Sequence, residues 1–181
     1  MIARNAHGMD GSHGQMEQHH SWTTRRIFAA ALALIALLAL FAPAAAAQEL
    51  KVYRKTGGNF DDVKFDVTNA ITNRGLVADF TGNVGAMLDR TGKDVGSTKQ
   101  VYKRAEYVVF CSAKLSRDMM EADVANAGFC PYIVFIYETA AKPGEIVIGY
   151  RRLPRAGKPA SIKAFSAINA LLDGIAKEAV K

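Results

Sequence analysis

The sequence predicts one small α+β domain with a mostly antiparallel sheet of about five strands packed by two long helices. Three observations support this fold class. The chain has 181 residues, which is the length of a single domain once a processed segment is subtracted. Apolar runs of strand length recur between residues 50 and 152. Two longer segments, one near each end of the domain, carry apolar residues at helical spacing.

The first half of the domain predicts a strand, a helix and a second strand. Residues 50–54 form the first apolar run, and a Gly-Gly turn follows. Asn59 is a suitable N-cap for a helix that ends before Gly75. The apolar stripe of this helix is Phe60, Val63, Val67, Ala70 and Ile71. Residues 76–81 alternate with the period of a half-buried strand, and the glycine-rich stretch that follows predicts a loop with a short helix at 86–90.

The second half predicts three further strands and a long last helix. Residues 106–111 and 132–137 are strand-like runs, and a helix inserted between them is capped by Ser112 and reaches to about residue 124. A Pro-Gly turn leads into a last strand at residues 146–152. The final helix begins at Ser161, and its apolar stripe is Ile162, Phe165, Ile168, Leu172, Ile175 and Ala179.

The N-terminal segment predicts export. Residues 27–47 contain no charge, follow Arg25 and Arg26, and end in a run of alanines. This order of a basic segment, an apolar core and small residues is typical of a cleavable signal peptide. Ala45 and Ala47 form an A-x-A cleavage site, so we place cleavage after Ala47.

Cleavage there divides the chain into a leader and signal peptide at 1–47 and a single domain at 48–181. An uncleaved segment anchored in the inner membrane is the alternative, since about 20 apolar residues can span a bilayer. The paired arginines leave both the general secretory and the twin-arginine route open. Either way the domain lies outside the cytoplasm, so the predicted location is the periplasm, with no membrane contact after cleavage.

Composition excludes several classes of function. All the histidines precede the predicted cleavage site: His7, His13, His19 and His20. The domain therefore has no histidine for a catalytic triad or a zinc site. Its glycines form no phosphate-binding motif, so we predict no cofactor and no metal site. The formal net charge of +6 is a mild excess, and export makes nucleic acid an unsuitable partner.

One segment of residues 107–152 resembles a known family. The residues in question are Phe110-Cys111-Ser112-Ala113, Leu115-Ser116-Arg117, Met120-Glu121-Ala122-Asp123, Phe129-Cys130-Pro131-Tyr132, Val134, Tyr137 and Tyr150-Arg151-Arg152. In order and spacing they resemble the family catalogued as domain of unknown function 302, although many relatives have Asn-Pro in place of Ser112-Ala113. The resemblance extends over 48–181. It implies a β-α-β(4)-α type fold and no established activity.

The two cysteines are the candidate catalytic residues and the candidate disulfide. Cys111 ends one predicted strand and Cys130 precedes the next, so antiparallel pairing of 107–111 with 132–137 brings the sulfurs within bridging distance. In an exported protein such a pair predicts a structural disulfide worth about 3 kcal/mol. Two buried thiols that pack as small apolar groups are a second interpretation.

A chemical interpretation of the same pair also stays open. Cys111 lies at the start of a predicted helix, where the helix dipole lowers the pKa of a thiol. With Cys130 as the resolving thiol, this arrangement suits redox or sulfur-handling chemistry, or the capture of a soft metal ion.

The leading hypothesis is a binding function. Enzymatic activity is the less favoured alternative. The predicted partner is a small ligand or another periplasmic protein. Association of two copies into a homodimer is an alternative. The candidate binding residues are the aromatic and basic side chains Tyr132, Tyr137, Tyr150, Arg151 and Arg152. The two arginines belong to a basic group around a Pro-Gly turn, which is either a solvated loop or a docking patch for an acidic partner or an anion.

Overall fold

The computed structural model describes residues 49–181. The predicted signal peptide, its cleavage site after Ala47 and the four histidines lie outside the described residues. Within residues 49–181, no helix has the length and apolarity that crossing a bilayer requires.

Five strands form one antiparallel sheet in the order β1-β5-β4-β3-β2. The strands are β1 (Leu50–Thr56), β2 (Val77–Asn83), β3 (Tyr102–Cys111), β4 (Tyr132–Thr139) and β5 (Glu145–Arg151). The helices are α1 (Phe60–Thr72), α2 (Val84–Thr91), α3 (Ala113–Ala122) and α4 (Pro159–Glu178), with a 3₁₀ helix at Val124–Phe129. The predicted α+β class and antiparallel sheet are therefore confirmed.

The predicted caps begin two of these helices. The side chain of Asn59 accepts a hydrogen bond from the backbone N–H of Asp61, and the Ser112 hydroxyl accepts one from Leu115. Each bond satisfies a backbone donor that has no partner within its helix. After α1 the chain turns at Gly75, whose φ of 70° lies in the left-handed region that favours glycine.

The helices α1, α3 and α4 cover one face of the sheet. The buried side chains on this face come from the three central strands, and they pack against the apolar stripes of α1 and α4. The strand residues are Val108, Phe110, Tyr132, Val134, Ile136, Ile146, Ile148 and Tyr150. Alternate residues of the same strands lie on the opposite face, because the side-chain period of a strand is two.

Two strands differ from the sequence prediction. In β2 the register shifts between Ala78 and Phe80, so a bulge interrupts the alternation predicted for 76–81. β3 begins at Tyr102, well before the predicted start, because its first residues are polar and do not form an apolar run.

Glu106 is buried in β3, and its carboxylate accepts hydrogen bonds from Lys64 and Arg104. Burial alone raises the pKa of Glu106, but these two partners outweigh it and hold the pKa below its usual value.

Candidate functional site

A basic cleft lies between the β1–β5 edge of the sheet and α4. Its volume is about 510 Å³. We define the basic cleft by its charged lining residues, which are Lys51, Arg152, Arg155, Lys177 and Asp173. Glu49 borders it and pairs with both arginines, at 3.1 Å from Arg152 and 3.5 Å from Arg155. Four positive side chains thus meet two carboxylates, and the cleft keeps an excess of positive charge.

Asp173 organises the inner wall of the basic cleft. Its carboxylate accepts hydrogen bonds from the hydroxyl groups of Tyr53 and, at 3.1 Å, Tyr150, and it lies 2.6 Å from Lys177 Nζ. Burial alone raises the pKa of Asp173, but the bonds from Lys177, Tyr53 and Tyr150 outweigh it and lower the pKa. The pKa of Tyr150 is raised, first by burial and then by the negative charge of Asp173. At neutral pH the wall therefore holds an ionised carboxylate and two protonated phenols.

Arg152, which lines the basic cleft, leaves one of its donors unused. Its Nε atom is buried and has no hydrogen-bond partner within residues 49–181. Its terminal nitrogen Nη1 is bonded to Glu49 at 3.1 and 3.2 Å. A buried donor without an acceptor is costly, so this position favours a ligand that supplies an oxygen.

The predicted binding residues do not form one site. Tyr150 and Arg152 line the basic cleft. Tyr132, Arg151 and Arg152 line a second cavity of about 380 Å³ that also contains Cys130. Tyr137 lies on the other face of the sheet, in a groove with Arg54 and Lys142. The reason is the two-residue period of β4: Tyr132 and Tyr137 are five positions apart, so their side chains lie on opposite faces of the sheet.

Sequence reasoning missed the residues that organise the basic cleft. Asp173 and Lys177 are spaced four residues apart on α4, which is a recognisable helical ion pair. Asp173 also follows Leu172 directly, at the edge of the apolar stripe. Tyr53 and Lys51 offer no such signal, since they lie in a strand whose neighbours the sequence does not reveal.

The cysteine pair meets where the sequence predicted it. Phe110 pairs with Tyr132 at the end of an antiparallel β3–β4 ladder, so the predicted pairing of 107–111 with 132–137 is confirmed. Just beyond this pair, the Sγ atoms of Cys111 and Cys130 lie 2.6 Å apart. Both cysteines are nevertheless free, and the sulfurs are farther apart than the roughly 2.05 Å of a disulfide. The predicted disulfide is therefore not present: the strand register brings the sulfurs into contact without a bond between them.

The predicted activation of Cys111 is wrong. Burial, followed by the hydrogen bond and charge of Cys130, raises the pKa of Cys111 to about 12. Cys111 is the last residue of β3, and Ser112, not the sulfur, caps the start of α3. The Sγ atom of Cys130 lies 3.7 Å from the hydroxyl oxygen of Ser116.

Comparisons with known proteins identify the family. No curated protein matches the chain. A solved structure described as uncharacterized conserved protein DUF302 from Bacillus stearothermophilus is similar, with a TM-score of 0.60 and 11% sequence identity over 72% of this chain and 97% of that chain. At that identity the likeness shows the fold alone. The model of the family Domain of unknown function DUF302 matches residues 52–177. The chain therefore belongs to the DUF302 family.

Proposed function

We propose that this domain binds a small organic anion in the basic cleft and has no turnover of its own. The observation that carries the proposal is Arg152, which lines the cleft with Lys51, Arg155 and Lys177 and whose buried Nε–H has no acceptor within residues 49–181. An arginine fork matches the geometry of a carboxylate or phosphate group. The ligand would therefore place an anionic oxygen at Arg152.

The size and lining of the basic cleft suit a small molecule. Its volume of about 510 Å³ lies within the range of small-molecule sites. The hydroxyl-bearing rings of Tyr53 and Tyr150 add apolar surface on the sheet side, and Ile162 adds it from α4. These features support an organic anion over a bare inorganic ion.

We place this activity in the periplasm, where the domain would act as a binding or accessory protein after cleavage behind Ala47. The uncharged segment 27–47 after Arg25 and Arg26 supports export. The partner would then be a metabolite or a protein-borne anionic group outside the cytoplasm.

Titration calorimetry of the purified protein with citrate tests the binding proposal, with inorganic phosphate as the second probe. We expect Arg152→Gln to weaken citrate binding at least tenfold, because a charge-assisted hydrogen bond is lost. We expect Asp173→Asn to strengthen it severalfold, because the substitution removes a negative charge from the wall and keeps an oxygen that can accept the tyrosine hydrogen bonds.

Lys163→Gln is the matched control, since Lys163 is an exposed residue of α4 that does not line the basic cleft. It removes the same charge as Arg152→Gln and is expected to change the affinity less than twofold in 0.15 M salt, where separated surface charges are screened. Equal losses in Arg152→Gln and Lys163→Gln, or weaker binding in Asp173→Asn, would contradict a site in the cleft. Absence of any binding by the wild type would contradict a site for such anions.

A second candidate function is exchange of the protein dithiol with a small organic disulfide. The contact between the sulfurs of Cys111 and Cys130 favours it, as does the cavity beside Cys130 that Arg151 and Arg152 border. In this reaction the Cys130 thiolate attacks the substrate disulfide, forms a mixed disulfide and releases one thiol. Cys111 then gives up its proton, displaces the second thiol and closes a protein disulfide. The protein pair loses two electrons and the substrate gains them.

Intact-mass measurement of the reduced protein with cystine at pH 7.5 tests this candidate. The wild type is expected to lose two hydrogens, whereas Cys111→Ser is expected to accumulate a mixed disulfide on Cys130. In Cys130→Ser we expect the remaining thiol to stay at least tenfold less reactive, because burial, the first cause of its raised pKa, persists. Comparable reaction rates of the two single variants would contradict the assignment of Cys130 as the attacking thiol.

A further inference from the structure

Two cations and two phenols form the sheet side of the basic cleft. On β1 they are Lys51 and Tyr53, and on β5 they are Tyr150 and Arg152. The members of each pair are two positions apart, so their side chains lie on the same face of the sheet, which is the face that α4 covers. In the strand register Lys51 pairs with Tyr150. Lys51 is therefore the neighbour of both phenols, along β1 for Tyr53 and across the strands for Tyr150.

The two phenols offer the cleft hydrogen-bond acceptors. Tyr53 and Tyr150 both donate their hydroxyl protons to Oδ1 of Asp173. A phenol oxygen has one proton to donate and also accepts, so an oxygen whose proton is held by Asp173 has only acceptor capacity left for a ligand. Tyr150 is buried and Tyr53 is half-buried, so Tyr53 is the phenol that a ligand reaches more readily.

Tyr53 keeps its proton at neutral pH. Its pKa is raised, first by burial and then by the hydrogen bond to Asp173 and the negative charge of that residue. The nearby Lys177 lowers the pKa of Tyr53 without reversing the rise. The ring therefore remains a neutral phenol, and its oxygen attracts a hydrogen-bond donor of the ligand.

Lys51 places a positive charge beside this acceptor. Its Nζ atom lies 5.5 Å from the centroid of the Tyr53 ring. The two arginines of the cleft share Glu49, but Lys51 makes no ion pair within residues 49–181. A carboxylate that binds Lys51 thus brings the adjoining part of the ligand over the Tyr53 ring, towards the phenol oxygen.

A neutral donor suits this acceptor better than a charged one. The Nζ atom of Lys177 already lies 2.6 Å from the Asp173 carboxylate and balances its charge. Lys51 and Arg152 add further positive charge to the lining of the cleft, so an ammonium group of a ligand would be repelled. A hydroxyl group donates the same hydrogen bond without that repulsion.

We propose that the ligand of the basic cleft is a hydroxycarboxylic acid. Its carboxylate binds Lys51 and Arg152, and its hydroxyl group donates a hydrogen bond to the phenol oxygen of Tyr53. This inference rests on the proposed binding of an organic anion and names the chemical class of that anion. A carboxylic acid without the hydroxyl group leaves the phenol oxygen without a donor, and it is therefore bound more weakly.

Titration calorimetry with citrate and tricarballylate at about pH 8 tests this class. The two anions carry the same carboxyl groups, all ionised at that pH, and differ only in the hydroxyl group of citrate. We expect the wild type to bind citrate at least fivefold more tightly, and Tyr53→Phe to reduce this preference to less than twofold. Tyr53→Phe also removes a hydrogen bond to Asp173, but that loss acts on both anions and cancels in the ratio.

Tyr137→Phe is the matched control. It removes the same hydroxyl group from a half-buried tyrosine on the other face of the sheet, so the preference for citrate is expected to persist. Equal affinities of the wild type for the two anions would overturn the hydroxy-acid inference and leave anion binding intact. Absence of binding by either anion would overturn both. A fivefold preference that survives in Tyr53→Phe would also overturn the inference, as would tighter binding of aspartate than of malate, which carry an ammonium and a hydroxyl group at the same carbon.

Discussion

Replacement of Phe110 by alanine is expected to lower the free energy of unfolding by about 4 kcal/mol. Phe110 is fully buried near the end of β3, and its ring packs edge-on against Tyr132 at a centroid distance of 5.7 Å. The truncation removes apolar contacts and leaves a cavity that the paired strands cannot close. Urea denaturation followed by circular dichroism measures the change as a lower midpoint with an unchanged slope.

Phe65→Ala is the matched control for Phe110→Ala. The Phe65 side chain is 64% exposed on α1, so its truncation is expected to cost less than about 0.5 kcal/mol. A loss below about 1.5 kcal/mol for Phe110→Ala would show that the core around this ring is less closely packed than the structure indicates.

Gly149→Ala is expected to cost about 2–3 kcal/mol, because an added methyl group has no space on the sheet face opposite α1, α3 and α4. Its Cβ would lie 2.6 Å from the backbone oxygen of Lys51 and 2.5 Å from the ring of Phe135. The ring can rotate away, but the backbone oxygen cannot move without disturbing the β1–β5 ladder, where Val52 pairs with Gly149. Because β1 also supplies Lys51 and Tyr53 to the basic cleft, citrate binding is expected to weaken as well.

Gly82→Ala distinguishes a clash of the added methyl group with backbone atoms from a clash with an aromatic ring. At Gly82 the nearest atoms all belong to the outer end of the Tyr107 side chain, which can swing aside. We expect a loss of no more than about 1 kcal/mol, partly offset by the smaller conformational freedom of alanine in the unfolded chain. Thermal denaturation of both variants compares them directly. Equal losses would place the strain in the aromatic rings and not in the β1–β5 backbone.

Much of the fold could be predicted from the sequence because its causes are local. The side chains of α1 and α4 repeat with the helical period, and both predicted apolar stripes are largely buried. Asn59 and Ser112 cap helices because a side-chain oxygen reaches backbone donors within a few residues. The contact between Cys111 and Cys130 also followed from sequence, since a short excursion between antiparallel strands returns the chain to the same end of the sheet.

The sites themselves were decided only by the tertiary structure. Tyr53, Tyr150 and Asp173 are distant in sequence, and they meet because β1 pairs with β5 and α4 packs over that edge. The raised pKa of Cys111 depends first on burial, which its place before a helix does not reveal. By itself, the sequence determined the class of fold, the helix boundaries to within a few residues and the meeting of the cysteines, because these depend on local period and chain direction. Strand order and the packing of α4 decided which charges and rings share a surface, because such contacts join segments that no local pattern relates.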